Sequence, residues 1–200
     1  MQPVKSRREM YSETTRAALL AEATRLFAAH GYADTSLEDV ASASRVTRGA
    51  VYHHFASKQA LFEAVLGAQE ERAVAAIMAA ATAGDPWEAA MLALDAFLDQ
   101  SCDPVYGRLV WVEGPRVLGW NRWREWEEKY AYGLVEQFTR SLIRAGYLED
   151  RATDSLVRFS FWMLGGAGLT LAETAEADKP RVRDEWAYLL RRTIGALRTG

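Results

Sequence analysis

The stretch TSLEDVASASRVTRGAVYHHFASKQALF, residues 35–62, decides how the chain folds. Thr35 or Ser36 can cap a helix that turns Leu37, Val40 and Ala41 inward, and Asp39, three residues after Ser36, fits a capping box with the shorter acid. Ser44, Arg45 and Val46 leave room only for a tight connection. Thr47 then caps a second short helix, TRGAVYHHF, with Val51 pointing inward and Phe55 closing a small core. Ser57 caps a longer helix that carries Leu61, Phe62, Val65 and Leu66. Two short helices joined by about three or four residues, with a longer helix before them, form the helix-turn-helix pattern.

Upstream, TTRAALLAEATRLFAAHGY puts Ala18, Leu19, Ala23, Leu26 and Phe27 on one helical face. Ser12 or Thr14 is the expected cap and Gly31 the left-handed stop. Downstream the punctuation stays helical. Asp85 and Asp103 each precede a proline, the signature of a capped start. VEGPRVLGWN should break the second of these helices at Gly114, Pro115 and Gly119. A long helix is expected from about Asn121 to Ala145, stopping at Gly146, then one capped by Asp150 that runs to about Thr174. Pro180 opens the last, which ends near Leu197. No segment alternates apolar and polar residues between hairpin turns, so the expected class is all-α. The expected division is an N-terminal three-helix domain with the helix-turn-helix over 1–66, with a basic arm at 1–11, and a larger C-terminal helical domain over 67–200.

The net charge of −3 hides an asymmetry: residues 1–58 hold 8 Lys/Arg against 6 Asp/Glu, and the remainder 16 against 21. Lys5, Arg7 and Arg8 precede the expected first helix. Cys102 is the single cysteine, which excludes an intramolecular disulfide and reads as a small buried hydrophobe. No secretory signal or membrane span is expected, so the reading is a cytoplasmic protein with no membrane partner. No cofactor is called for. The adjacent His53 and His54 point about 100° apart on a helix and have no third ligand nearby, which is wrong for a metal. An all-helical enzyme would need a clustered acid/base or metal set; the chain has no histidine after His54, and Glu127 and Glu128 read as solvated charge.

Residues 14–66 closely resemble the tetracycline-repressor (TetR) family of regulators, through the LF at 26–27, GY at 31–32, TS at 35–36, YHHF at 52–55 and SK at 57–58. The resemblance implies a DNA-binding regulator in which Ser36, Thr47, Arg48, Gly49, Tyr52, His53, His54 and Lys58 match positions that touch DNA. The residues themselves suit that role. Thr47 offers a hydroxyl to phosphate, Arg48 a guanidinium able to reach guanine, and Gly49 no side chain where backbone nears DNA. Tyr52 and His53 extend the same side, and helix N-termini at Ser36 and Lys58 supply amide donors. Family members usually carry Gly in the turn where this chain has Arg45; the departure means another turn geometry or a strained Arg45, whose charge can add a phosphate contact.

The C-terminal part looks like the subset of the family carrying the stretch seen here as GPRVLGWNRWRE at 114–125. All seven tryptophans lie beyond residue 66. Phe97, Trp111, Trp120, Phe138 and Trp162 come from different helices and are the expected ligand-binding set. Glycines inside the penultimate helix need a close helix neighbour to offset their cost, so Gly165 and Gly166, with Trp186 and Leu190 of the last helix, are the expected interface of a homodimeric four-helix bundle. The function expected is a repressor, released from a pseudo-palindromic double-stranded DNA operator by a small, largely apolar or aromatic effector. The alternatives are an all-helical enzyme and a helix-turn-helix adaptor without operator choice.

Overall fold

A computed structural model of the protein describes residues 7–199, with side chains from Met10 onward. Lys5 lies outside the described residues. Among those described there are nine helices and no strand, only an isolated antiparallel bridge between Leu148 and Arg198. The chain divides into two compact units, Met1–Gly67 and Ala68–Gly200.

The first unit holds α1 (Arg7–His30), α2 (Leu37–Ala43), α3 (Arg48–His54) and the start of α4 (Lys58–Ala80). Helix α1 begins earlier than the sequence suggested: Arg7 and Arg8 are within it, and Ser12 and Thr14 are interior residues rather than caps. The Thr14 hydroxyl instead donates back to the Met10 carbonyl, a bond available to any helical threonine. Leu19, Ala23 and Phe27 of α1 pack with Val40, Val51, Leu61 and Phe62, all fully or almost fully buried. Phe27 and Phe62 meet edge to face at 5.3 Å, and Tyr32 joins them. Burying an aromatic or aliphatic side chain contributes about 1.5–3 kcal/mol, so this cluster is what holds the two short helices between α1 and α4.

Ser36 caps α2 in a reciprocal box with Asp39, and Thr35 is buried with its hydroxyl on the Gly31 carbonyl. Helix α2 ends in a Schellman motif: the amide of Val46 bonds the carbonyl of Ala41 and that of Arg45 the carbonyl of Ser42. Arg45 holds φ at +56°, so the strained alternative is the one realised. Gly146 ends a later helix by the same bond pattern with φ +78°, and there the residue type suits the conformation. Thr47 caps α3 through the Ala50 amide, and Ser57 caps α4 through the Ala60 amide.

The second unit contains the rest of α4 and five further helices. These are α5 (Pro86–Cys102), α6 (104–118), α7 (120–144), α8 (Thr153–Glu173) and α9 (Lys179–Ala196). Asp85 and Asp103 cap α5 and α6 as expected. Gly114 and Pro115 do not break α6, because Gly107–Glu113 widens into a π-helix. In that geometry the Gly114 amide bonds the Leu109 carbonyl, and Pro115, lacking an amide hydrogen, leaves the next carbonyl free. The Trp123 indole Nε1 donates to that carbonyl, Val110 O, at 3.0 Å. The real break is Gly119, at φ +77°. Helix α7 carries a second π segment, Glu128–Tyr132, and stops at Gly146. Ala152, not Asp150, precedes α8; Asp150 accepts the Thr153 hydroxyl instead.

Helix α8 is long and apolar enough to cross a membrane by length and composition alone. Its Val157, Phe161, Ala167, Gly168 and Leu171 are nonetheless buried against other helices of the unit, as in a core helix. The core cluster runs through Met91, Leu94, Leu98, Leu142, Leu171 and Leu190. Asp95 and Asp99 of α5 pair with Arg183 and Arg191 of α9 along its edge. Cys102 is half-buried and its thiol is pushed up, chiefly by burial, which fits a packing residue rather than a reactive one.

Candidate functional site

The exposed end of α3 gathers most of the residues expected to meet DNA. Arg45, Thr47, Arg48, Gly49, Tyr52 and His53 are exposed, whereas Ser36, His54 and Lys58 are half-buried. The Arg48 guanidinium pairs with Glu38 of α2, donates to the Tyr52 hydroxyl at 3.2 Å and lies over the Tyr52 ring at 5.4 Å. Those contacts, the Tyr52 bond first, hold the guanidinium even more firmly protonated than usual. Arg48 is therefore held at the exposed start of α3 by a carboxylate of α2 and the tyrosine one turn on.

Ser36, Tyr52 and Lys58 rim one surface depression with Asp34, Glu38 and Asp39. The Ser36 hydroxyl donates to Asp39, whose carboxyl this bond holds below its usual range. Lys58 Nζ donates to the Ala33 carbonyl at 3.1 Å and sits 4.3 Å from the centre of the Tyr32 ring. Lys58 thus also ties the α1–α2 loop to α4. His54 packs against Phe55 and His53, and burial above all lowers its pKa, with His53 and Arg16 adding to the effect.

The second unit holds a partly open cavity of about 140 Å³. Phe97, Trp111, Phe138 and Trp162 line it, as expected from the sequence. Trp120 does not: it is 56% exposed and stacks on Trp162 from outside. Sequence reasoning missed the polar part of the lining. Glu70, Tyr106, Glu127, Thr139 and Ser160 all contribute, and no Lys, Arg or His is among the described lining residues. The Tyr106 hydroxyl donates to Glu70 Oε1 at 2.6 Å. Glu127 Oε1 and Trp111 Nε1 are buried without a hydrogen-bond partner. Glu127 was read as solvated; it is 3% exposed, because the helix face it shares with Trp123 turns inward. Glu128, its neighbour, is the surface residue of the pair and meets Arg124 and Arg158. Burial pushes the Glu70 carboxyl up to about 7 and the Glu127 carboxyl well above its ordinary value, with Glu70 adding to the latter. Tyr106 is driven up by burial and then by both carboxylates.

The residues proposed for an interface divide. Leu190 is 1% exposed within its own chain and belongs to the core cluster, so its side chain packs inside its own protomer. Gly166 is exposed, Gly165 and Trp186 are half-buried, and a Cβ on Gly166 would lie 3.8 Å from Trp186. Gly168 is much tighter than either Gly165 or Gly166: an added Cβ there would meet the Trp111 ring at 2.5 Å. Close approach does explain that glycine, but the neighbour is a side chain of the same molecule.

A helix-turn-helix unit followed by a helical unit with an internal cavity defines the class of ligand-sensing transcriptional regulators, and the comparisons agree. Residues 19–65 match the family model for bacterial regulatory proteins of the tetR family, and residues 87–197 the model for the tetracyclin repressor-like C-terminal domain. The chain belongs to the TetR family and is a helix-turn-helix transcriptional regulator, not an enzyme. It is similar to the transposon Tn10 TetC protein of Escherichia coli, 27% identical over 72% of this chain and 73% of that one. It is 46% identical to the HTH-type transcriptional repressor Rv3405c of Mycobacterium tuberculosis over 32% of this chain and 35% of that one. A crystal structure of a TetR-family regulator from Pectobacterium atrosepticum superposes with a TM-score of 0.82 at 28% identity, covering 98% and 99% of the two chains.

Proposed function

We propose that this regulator is a homodimeric repressor that leaves a pseudo-palindromic operator when a small, largely apolar or aromatic molecule enters the cavity of the second unit. The observation that carries the reading is the cavity itself: four aromatic side chains from different helices converge on open space rather than filling it. On the DNA side, Arg48 reads a base and Thr47, Gly49, Tyr52 and His53 flank it, while Ser36, Arg45, His54 and Lys58 approach the backbone. Dimerisation is supported by the last two helices. Phe159 and Leu169 of α8 and Tyr188 and Leu189 of α9 are large apolar side chains left exposed, Tyr188 by 64%, beside Gly165, Gly166 and Trp186.

Helix α4 is the proposed lever. It starts four residues after α3 and supplies Leu61, Phe62, Val65 and Leu66 to the first core, then Glu70, Val74 and Ile77 to the cavity wall. A ligand acts only if it binds the released state better than the DNA-competent one; a swing from 99:1 to 1:99 needs about 5.5 kcal/mol. The test is an operator selected from random duplexes, followed by release on titration with aromatic compounds. Trp162→Ala should blunt release while operator affinity without ligand stays within about a few fold. If Trp162→Ala responds as wild type to a compound that releases wild type, the cavity is not the sensor.

A further inference from the structure

The cavity's walls are apolar, yet two carboxyl side chains and a tyrosine hydroxyl meet in it. Glu70 comes from α4, Tyr106 from α6 and Glu127 from α7; α5, α8 and α9 contribute only uncharged side chains. Burying a carboxyl costs several kcal/mol unless it is paired, and a buried acid is normally met by arginine, lysine or a set of donors. Here Glu70 has one donor, Tyr106, and Glu127 Oε1 has none. A cavity that received only neutral hydrocarbon would leave that oxygen unsatisfied in the bound state as well, with less water to relieve it. The partner absent from the protein must then come with the ligand.

We infer that the effector is an organic cation, an apolar or aromatic body bearing one ammonium group, which seats that group between Glu70 and Glu127 while Phe97, Phe138 and Trp162 hold the body. The inference rests on the cavity's being the ligand site and adds the charge of what enters it. Aromatic faces favour such a ligand further, since a desolvated cation is attracted by the ring. Anionic ligands are disfavoured, because they would face two acids and no base. Burial raises both carboxyls, Glu70 to about 7, so without a ligand the pair still carries a proton at neutral pH. Seating the cation then expels a proton to solvent, leaving a carboxylate opposite the ammonium. Affinity for a cation accordingly rises with pH, and affinity for a neutral molecule of the same shape does not.

Three probes of one shape test this by calorimetry on the full-length protein: 4-phenylbutylamine, 4-phenylbutan-1-ol and 4-phenylbutanoate. The amine should bind at least about tenfold more tightly than the alcohol near pH 8. Its advantage should shrink toward about pH 6, and runs in two buffers of different ionisation enthalpy should show proton release. Glu127→Gln should lose the preference for the amine, and Glu128→Gln, on the surface, should keep it. Proton release measured on the unaltered protein keeps the test valid if Glu127→Gln does not fold. Equal binding of amine and alcohol, or tighter binding of the carboxylate, overturns the charge assignment but leaves the cavity as a ligand site. If none of the three binds, the charge assignment and the cavity reading fall together.

Discussion

Adding one methyl group at Gly168 separates two opposed effects, and a second glycine supplies the control. Replacing a helical glycine by alanine gains about 1 kcal/mol of intrinsic helix preference. Gly133 lies exposed in α7 with nothing within 4 Å of a built Cβ and an ordinary helical φ of −62°, so Gly133→Ala should realise most of that gain. At Gly168 the same methyl would sit 2.5 Å from Cε2 and Cζ2 of Trp111. Carbon atoms pack at about 3.5–4.0 Å, so the indole must retreat by roughly 1 Å. Trp111 is 4% exposed and meets Trp123 at 5.7 Å, so its retreat disturbs a second indole and the cavity wall that both share. Overpacking of this kind costs about 1–3 kcal/mol. Gly168→Ala should therefore be neutral to destabilised by about 2 kcal/mol, and the two variants should differ by about 1–3 kcal/mol. For a chain of this size each kcal/mol shifts the melting temperature by about 2–4 °C. Thermal melts of wild type and both variants at one protein concentration measure the difference directly. If Gly168→Ala melts as high as Gly133→Ala, Trp111 has room to yield and the fixed-indole argument is wrong.

Removing the carboxylate that holds Arg48, by Glu38→Gln, should tighten DNA binding by up to about fivefold at low salt, since an exposed ion pair is a weak competitor; weaker binding in fluorescence anisotropy would show that Glu38 orients Arg48 instead. Arg48→Ala should weaken the selected operator by about ten- to a hundredfold and random duplex far less; equal losses on both would deny it a base contact. Arg45→Gly should relieve about 1 kcal/mol or more of left-handed strain and raise the melting temperature, while lowering the salt slope of DNA binding by about one unit if Arg45 meets a phosphate. Glu70, raised in the folded state to about 7, binds a proton more tightly there than in the unfolded chain. Its stabilising effect is complete below the unfolded value near 4.5 and is lost as pH rises through about 7. Urea melts should show wild type losing stability from about pH 5 to pH 8 more steeply than Glu70→Gln; parallel profiles would mean the carboxyl is not buried in solution.

Most of the first unit was legible residue by residue, because its caps and helical spacing are set by near neighbours. Ser36 with Asp39, Thr47 and Ser57 are caps that act within three residues, and Leu37, Val40, Val51 and Phe55 follow helical spacing. Even the misfit at Arg45 could be placed, since only its neighbours set its backbone. What failed depends, apart from the start of α1, on partners far along the chain. Ser12 and Thr14 have the chemistry of caps but sit inside a helix that continues before them. Trp111 and Trp120 are alike in sequence, yet one lines the cavity and the other faces out. Leu190 belongs to an apolar stripe that serves either a core or a partner, and the α9 packing alone assigns it to the core. Glu127 and Glu128 are adjacent acids on a charged helix; one step of about 100° separates burial from exposure.

The segment GPRVLGWNRWRE shows how such long-range dependence is encoded without a readable local signal. Pro115 removes one amide hydrogen, which would leave the Val110 carbonyl orphaned in the π turn. Gly119 adopts a left-handed φ that lets the chain fold back, bringing Trp123 onto α6. Gly114 admits it, since a Cβ there would lie 2.9 Å from the indole. The Trp123 ring then satisfies the orphaned carbonyl, packs edge-on against Trp111 and itself joins the cavity wall. Glu127, one helical turn after Trp123, is carried to the same wall by that fold-back. Each of these residues is ordinary alone; together they fix an indole and a carboxyl on one side of the cavity. The same reasoning predicts that Gly114→Ala, which displaces Trp123, should disturb ligand binding as well as stability, whereas Gly133→Ala should leave binding unchanged.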